Sequence, residues 1–347
     1  NCGSLKRNWE VRNEWSCEKF AATLTHFPRQ PSQPEEFLTM PDAILLVQGP
    51  RASARAARVE ALLLEQWPHG VLLTPSRAEA FARRDSLLRA SGAAGVLGAA
   101  AMPLADFAAA VLEGEGIPVR RLDSLRRRLL LDAWLHEAVE AGHVVLPGGA
   151  VECPGLTGHL LRVITDLKQA AVEPEAFRAR IAAGRGGDAS PFDALVAAAY
   201  TAYQERLLGA GVFDVPGLFW AAAEVCARGC EGERGGTRVE EQAAVDSLPT
   251  LLRGVEAVAF DGFDDFTPSE FRFLEALVGR VPRVIFGINY DDAPGRQDLY
   301  AKPERTVRRL VERFRPRVEI CAAVAPERFS SYCAAEIFWR DVATGPA

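Results

Sequence analysis

The sequence predicts an α/β fold: a parallel sheet drawn from both ends of the chain, interrupted by a large all-helical insertion. Two features carry that reading. Short apolar runs, each followed by helical spacing, occur early in the patterned region and return near its end. Between them, residues 103–252 carry helical periodicity and almost no strand pattern. A third feature bounds the class. Of 347 residues, 48% are apolar and 25% charged, enough for a sizeable core. No apolar run reaches the roughly 18 residues needed to cross a bilayer.

Residues 1–39 precede the pattern. They hold Lys6 and Lys19, half of the chain's four lysines, and only two alanines, Ala21 and Ala22. They show no strand or helix period. They are expected to be a non-native or disordered leader, with the natural start at Met40, and they contain no basic head followed by an apolar stretch as a secretory signal would. Ile44–Val47 is then an apolar run ending in Gln48-Gly49-Pro50, a buried strand entering a turn. Residues 53–67 repeat at helical spacing through Val59, Leu62 and Leu63. Gly70-Val71-Leu72-Leu73-Thr74-Pro75 reads as a second strand, 77–90 as a second helix, and 94–101 as a weaker strand.

In the helical stretch, Leu125, Leu129, Leu135 and Val139 form one stripe around Trp134, and Leu156, Leu160, Ile164 and Leu167 another. Residues 191–209 and 216–227 are similar, and the Gly-, Glu- and Arg-rich 229–241 reads as an exposed loop. Strand pattern resumes at Val255–Phe260, ending in Asp261-Gly262-Phe263. A helix over Pro268–Leu277 and a strand over Arg283–Tyr290 follow. The sheet domain is therefore placed at 41–101 plus 254–320 and the insertion at 103–252. The tail, 321–347, is unpatterned and reads as truncated.

Charge and cysteine content narrow the chemistry. The net charge is −6, which disfavours indiscriminate binding to nucleic acid. Seven scattered cysteines (Cys2, Cys17, Cys153, Cys226, Cys230, Cys321, Cys333) suggest a reducing compartment rather than a disulfide framework. Cys226 and Cys230 share a helical spacing but lack the further ligands that a zinc site needs. The five histidines are dispersed, and no Ser/His/Asp set is readable.

A strand, a glycine turn and a helix is the setting of a phosphate loop, which requires Gly, four residues, Gly, Lys and then Ser or Thr. Here the run is Gly49-Pro50-Arg51-Ala52-Ser53-Ala54-Arg55-Ala56. Ala54 replaces the second glycine, Arg55 the lysine and Ala56 the metal-binding hydroxyl. In such proteins a later buried strand ends in acids that hold Mg²⁺ and orient water. Asp261 stands at that place, followed by Gly262 where a catalytic Glu is needed. Asp264 and Asp265 precede a Pro-started helix and are read as its cap, with Thr267 as the alternative.

The ordered set resembles the RecA-like, UvrD-type helicase core, domain 1A with its helical 1B insertion. It is closest to the AddB subunit of bacterial AddAB-type helicase–nucleases. The supporting segments are Leu72-Leu73-Thr74-Pro75-Ser76, Pro154-Gly155-Leu156, Thr165–Ala170, Tyr200–Tyr203 before Phe213-Asp214, and Val258–Leu277. UvrD-type motors read Asp-Glu-x-Gln-Asp where this chain has Asp261-Gly262-Phe263-Asp264-Asp265.

The resemblance implies an inactivated motor module in bacterial cytoplasm. It would hold single-stranded or unwinding DNA for double-strand-break repair, beside an AddA-like partner subunit, with no membrane association. It implies a degenerate nucleotide site at Gly49, Ser53, Arg55 and Asp261. It implies DNA contacts at Thr74, Ser76 and Arg77. The basic run Arg120, Arg121, Arg126, Arg127, Arg128 offers a further patch, with Arg126 and Arg127 the leading candidates, against a plain solvated helix face. No catalytic or metal residue is assigned and no cofactor is expected in this chain. The family's PD-(D/E)xK nuclease and iron–sulfur cluster belong to a C-terminal part. Asp166-Leu167-Lys168 matches (D/E)xK but lies in a helical stripe, and is read as a solvated face. Two other readings stay open: an active P-loop ATPase with Arg55 in place of lysine, and a damaged gene product.

Overall fold

The computed structural model describes residues 43–50, 53–92, 100–144, 146, 155–184, 190–228, 249–292 and 297–322. The expected leader, the loop at 229–241 and the tail beyond 322 lie outside these residues, as do five of the seven cysteines. The described chain divides into two compact units, 118–217 and the residues on either side of it.

The flanking residues form an α/β unit. Its strands are β1 (Ile44–Gly49), β2 (Gly70–Thr74), β3 (Ala101–Pro103), β4 (Ala257–Phe263), β5 (Arg283–Asn289) and β6 (Arg317–Ile320). They make one sheet in the order β3-β2-β4-β5-β1-β6, with every pairing parallel. Parallel neighbours need crossovers. These are supplied by α1 (Arg55–Leu64), α2 (Arg77–Ser91), α9 (Pro268–Val278) and α10 (Gln297–Phe314). Also here is α3 (Leu104–Gly114), which the sequence reading gave to the insertion. Of the strand expected over 94–101, residues 94–99 lie outside the described residues; β3 is at Ala101–Pro103.

Around β1, β2, β4 and β5 both faces of the sheet are covered, which is why these strands read as near-continuous apolar runs. Alternation along each strand sorts the side chains. Leu45, Val47, Ala257, Ala259 and Ile285 join Val59, Leu62 and Leu63 of α1 and Leu87 of α2 in one buried cluster. On the other face Phe260 stacks on Phe286 at 5.2 Å. Phe286 meets Phe314 of α10 at 6.0 Å, and Phe314 meets Phe271 of α9 at 5.7 Å. The chain moves one way along the sheet from β1 to β2 and the other way from β5 to β6. The reversal falls between β1 and β5, and the carboxyl ends there are where ligands bind in open α/β sheets.

The strand expected to stop near Phe260 runs on to Phe263. At Asp261–Phe263 its register against β5 shifts by a bulge, with Gly262 at φ +85°, a conformation glycine adopts without strain. Thr267 caps α9, forming a capping box with Glu270. Asp265 instead accepts from the Phe266 N–H at 2.8 Å, and the carbonyl of Asp264 accepts from Thr306.

Residues 118–217 contain α4 (Ser124–Glu140), α5 (Leu156–Gln169), α6 (Pro174–Gly184) and α7 (Pro191–Ala210). The helix α8 (Val215–Ala227) begins at the unit's end. Leu131, Leu160, Ile164, Val196, Ala199, Tyr200, Tyr203 and Leu207 form its core. The expected α4 stripe is only half realised. Leu125 and Leu129 face solvent, 63% and 56% exposed, and the inward positions are Arg127, Leu131, Leu135 and Ala138. The α5 stripe holds at Leu160 and Ile164, with Lys168 as its next buried member.

Candidate functional site

The degenerate nucleotide residues do converge. β1 ends at Gly49 opposite Asn289, and Asp261 sits opposite Gly287, so one strand separates the glycine turn from the aspartate. Asp261 is 2% exposed and both its carboxylate oxygens are taken: Arg55 Nη1 donates to Oδ1 and Arg83 Nη2 to Oδ2. Arg83 also donates to Glu60 Oε1 at 2.8 Å, and Ser86 Oγ to Glu60 Oε2 at 2.8 Å. Two guanidiniums and two carboxylates thus close a neutral network across α1, α2 and β4.

Gly287 makes room for it. A methyl group there would stand 2.6 Å from Asp261 Oδ1, 2.8 Å from Arg55 Nη1 and 2.9 Å from Val59 Cγ2. Gly287→Ala is therefore expected to cost about 1–3 kcal/mol through overpacking. A urea midpoint unchanged from wild type would show that the arginine moves aside freely.

Arg51 and Ala52 of the turn lie outside the described residues. Ser53 N–H donates to the Pro50 carbonyl at 2.9 Å, and Ser53 Oγ accepts from Arg55 N–H at 3.3 Å. Helix α1 starts at Arg55, with Ala54 before it giving no side-chain cap, and has no acid in its first turn. Arg55 Nε and Asn289 Oδ1 are buried without a partner among the described residues. A nucleotide with Mg²⁺ does not fit this set. Ala56 offers no oxygen to a metal, Arg55 is committed to Asp261, and each Asp261 oxygen already accepts from a guanidinium. Among the described residues no group of three or more His, Cys, Asp or Glu could hold a metal ion.

The five candidate DNA contacts divide. Thr74 is buried, its hydroxyl donating to the Ser76 carbonyl at 2.9 Å, which withdraws it from any strand passing outside. Ser76 caps α2, accepting from Glu79 N–H at 3.2 Å. Arg77 is 82% exposed and pairs with Asp106 at 3.2 Å. Arg126 is exposed, 3.7 Å from Asp123. Arg127 departs from the surface reading. It turns inward, donating to Tyr203 Oη at 2.9 Å and Thr165 Oγ1 at 2.6 Å, with Asp214 Oδ2 3.9 Å away. Neighbouring helices offer it oxygens that periodicity cannot register.

That network includes what the solvated-face reading of Asp166-Leu167-Lys168 missed. Asp166 is exposed, but Lys168 is wholly buried. Two residues apart on a helix, they point to different faces. Lys168 Nζ lies 2.8 Å from Asp214 Oδ1 and donates to Gln204 Oε1 at 2.8 Å. Asp214 also accepts from Tyr203 Oη at 3.1 Å and Gly217 N–H at 2.9 Å. Burial holds the Lys168 ammonium below its usual range, against the pull of Asp214. Burial pushes Asp214 up, but Lys168 and Arg127 outweigh it and hold the carboxyl below its ordinary value. Burial, then Asp214, pushes the Tyr203 phenol up.

Because Asp214 titrates lower folded than unfolded, its contribution is complete above about pH 4, the ordinary carboxylate value, and fades as pH falls through the depressed one. The unfolding midpoint of 118–217 is expected to drop below about pH 4. That drop should be shallower in Asp214→Asn. An equally steep acid limb in that variant would assign it to other carboxylates.

Arg83, Glu60, Gly287 and Asp214 are the residues that sequence reasoning did not assign. Only Gly287 left a signal, as a lone glycine inside a strand pattern. No helix among the described residues is long and apolar enough to cross a membrane. No protein-family model and no curated protein matches the chain.

Proposed function

We propose that this chain is the helicase-like module of an AddB-like subunit in a DNA-repair helicase–nuclease. It holds single-stranded DNA beside an active partner motor and does not hydrolyse ATP. The observation that carries the reading is the capture of Asp261 by Arg55 and Arg83 at the carboxyl end of an all-parallel sheet, across one strand from Gly49. That position supports reading it as a former RecA-like nucleotide site, and its charged groups neutralise one another. The separate compact helical unit at 118–217 supports reading that stretch as the insertion. DNA contact rests on the resemblance, with Arg77 and Arg126 as the exposed cations.

The active-ATPase reading would need Arg55 and Asp261 both released to a ligand. The chain is expected to bind a fluorescent single-stranded oligonucleotide with affinity that falls as salt rises. It should show neither ATP turnover nor nucleotide binding at millimolar ATP with Mg²⁺. Arg77→Ala should weaken oligonucleotide binding and reduce its salt slope by about one. Mg²⁺-dependent hydrolysis abolished by Asp261→Ala would overturn the reading, as would oligonucleotide binding that ignores salt.

A further inference from the structure

We propose that the Arg55–Asp261–Arg83–Glu60 network is a built-in lock. It ties the sheet unit into one arrangement without any ligand, doing permanently what nucleotide and metal do only while bound. The inference rests on reading the Gly49–Asp261 end of the sheet as a lost nucleotide site.

All four carboxylate oxygens of Asp261 and Glu60 have a donor, and they come from three residues, Arg55, Arg83 and Ser86. Asp261 and Glu60 lie on different elements and share Arg83, whose planar fork reaches both at once. Arg83 is therefore the bolt. It is the side chain that bridges the two carboxylates, Glu60 on α1 and Asp261 on β4, from its own place on α2. It lies outside both the phosphate-loop run and the strand-end acids. Restoring a lysine at position 55 would leave Asp261 Oδ2 still bound. Gly287, with space for nothing larger than hydrogen, fits a permanent network better than an intermittent one.

The test is a double-mutant cycle on the full chain with Arg83→Met and Glu60→Gln. It is read by hydrogen exchange of amides in α1, α2 and β4, so that the helical unit does not enter. The lock predicts that the two changes couple well beyond about twofold in the opening equilibrium, with α1 and α2 loosening together in Arg83→Met. Additive effects within about twofold, or loosening confined to α2, overturn it. If Arg83→Met does not fold, Arg83→Lys with Glu60→Gln gives the same cycle, because lysine keeps the charge but cannot fork to both carboxylates.

ATP with Mg²⁺ is then added to wild type. An unmoved exchange pattern is expected. Slowed exchange in α1 would overturn the lost-site reading and the lock with it, whereas additive mutants with ATP silent would overturn the lock alone.

Discussion

Replacing Lys168 with methionine is expected to destabilise the 118–217 unit by about 3–5 kcal/mol, the cost of stranding one member of a buried ion pair. Lys168 and Asp214 both have fully buried side chains. Methionine replaces most of the lysine stem, so little of the loss comes from a cavity. The carboxylate would keep the Gly217 N–H, the Tyr203 hydroxyl and an arginine 3.9 Å away. Those donors soften the penalty without replacing a cation at 2.8 Å. Removing both charges in Lys168→Met/Asp214→Asn should recover part of the loss, because the desolvation cost of the pair disappears with it. Hydrogen exchange of α5 and α7 amides measures both variants. A single-variant loss under about 1 kcal/mol would mean that Arg127 alone suffices to hold Asp214.

Asp261→Asn is the second large effect, also about 3–5 kcal/mol, this time in the sheet unit. The amide keeps the shape of the carboxylate, so packing is conserved. What changes is that one oxygen becomes an NH₂ donor facing a guanidinium, the buried Arg55 loses its carboxylate, and the partly exposed Arg83 keeps only Glu60. Denaturant unfolding that reports on Trp67, which packs against the sheet core, should show the loss. An Asp261→Asn variant as stable as wild type would mean that the two arginines are solvated in solution and that no lock holds Asp261.

The two clusters also show which sequence signals survive folding. The β1 and β4 runs, their following helices and the return of strand pattern after residue 254 were legible because burying a parallel sheet on both faces demands uninterrupted apolar runs at fixed spacing. The α4 stripe misled for the complementary reason. Periodicity ranks faces by apolar content, so Leu125 and Leu129 outscored Arg127, although three oxygens waited inside for that guanidinium. A buried cation depends on partners 38, 76 and 87 positions away in the chain, at Thr165, Tyr203 and Asp214.

From the sequence alone came the α/β class, the placement of Gly49 and Asp261 near strand ends, and the departure of residues 49–56 from the phosphate-loop pattern at Ala54, Arg55 and Ala56. Those follow from local pattern and from the chemistry of single residues. Only the tertiary structure decided the strand order, the boundary of the helical unit at 118 and 217, and the fate of the charges. Arg83 and Glu60 are unremarkable helix residues until crossovers set α1 and α2 beside each other on one face of the sheet, over Asp261. Ion pairs between residues some two hundred positions apart are made by topology. Their partners are chosen by which carboxylate the fold buries beside them.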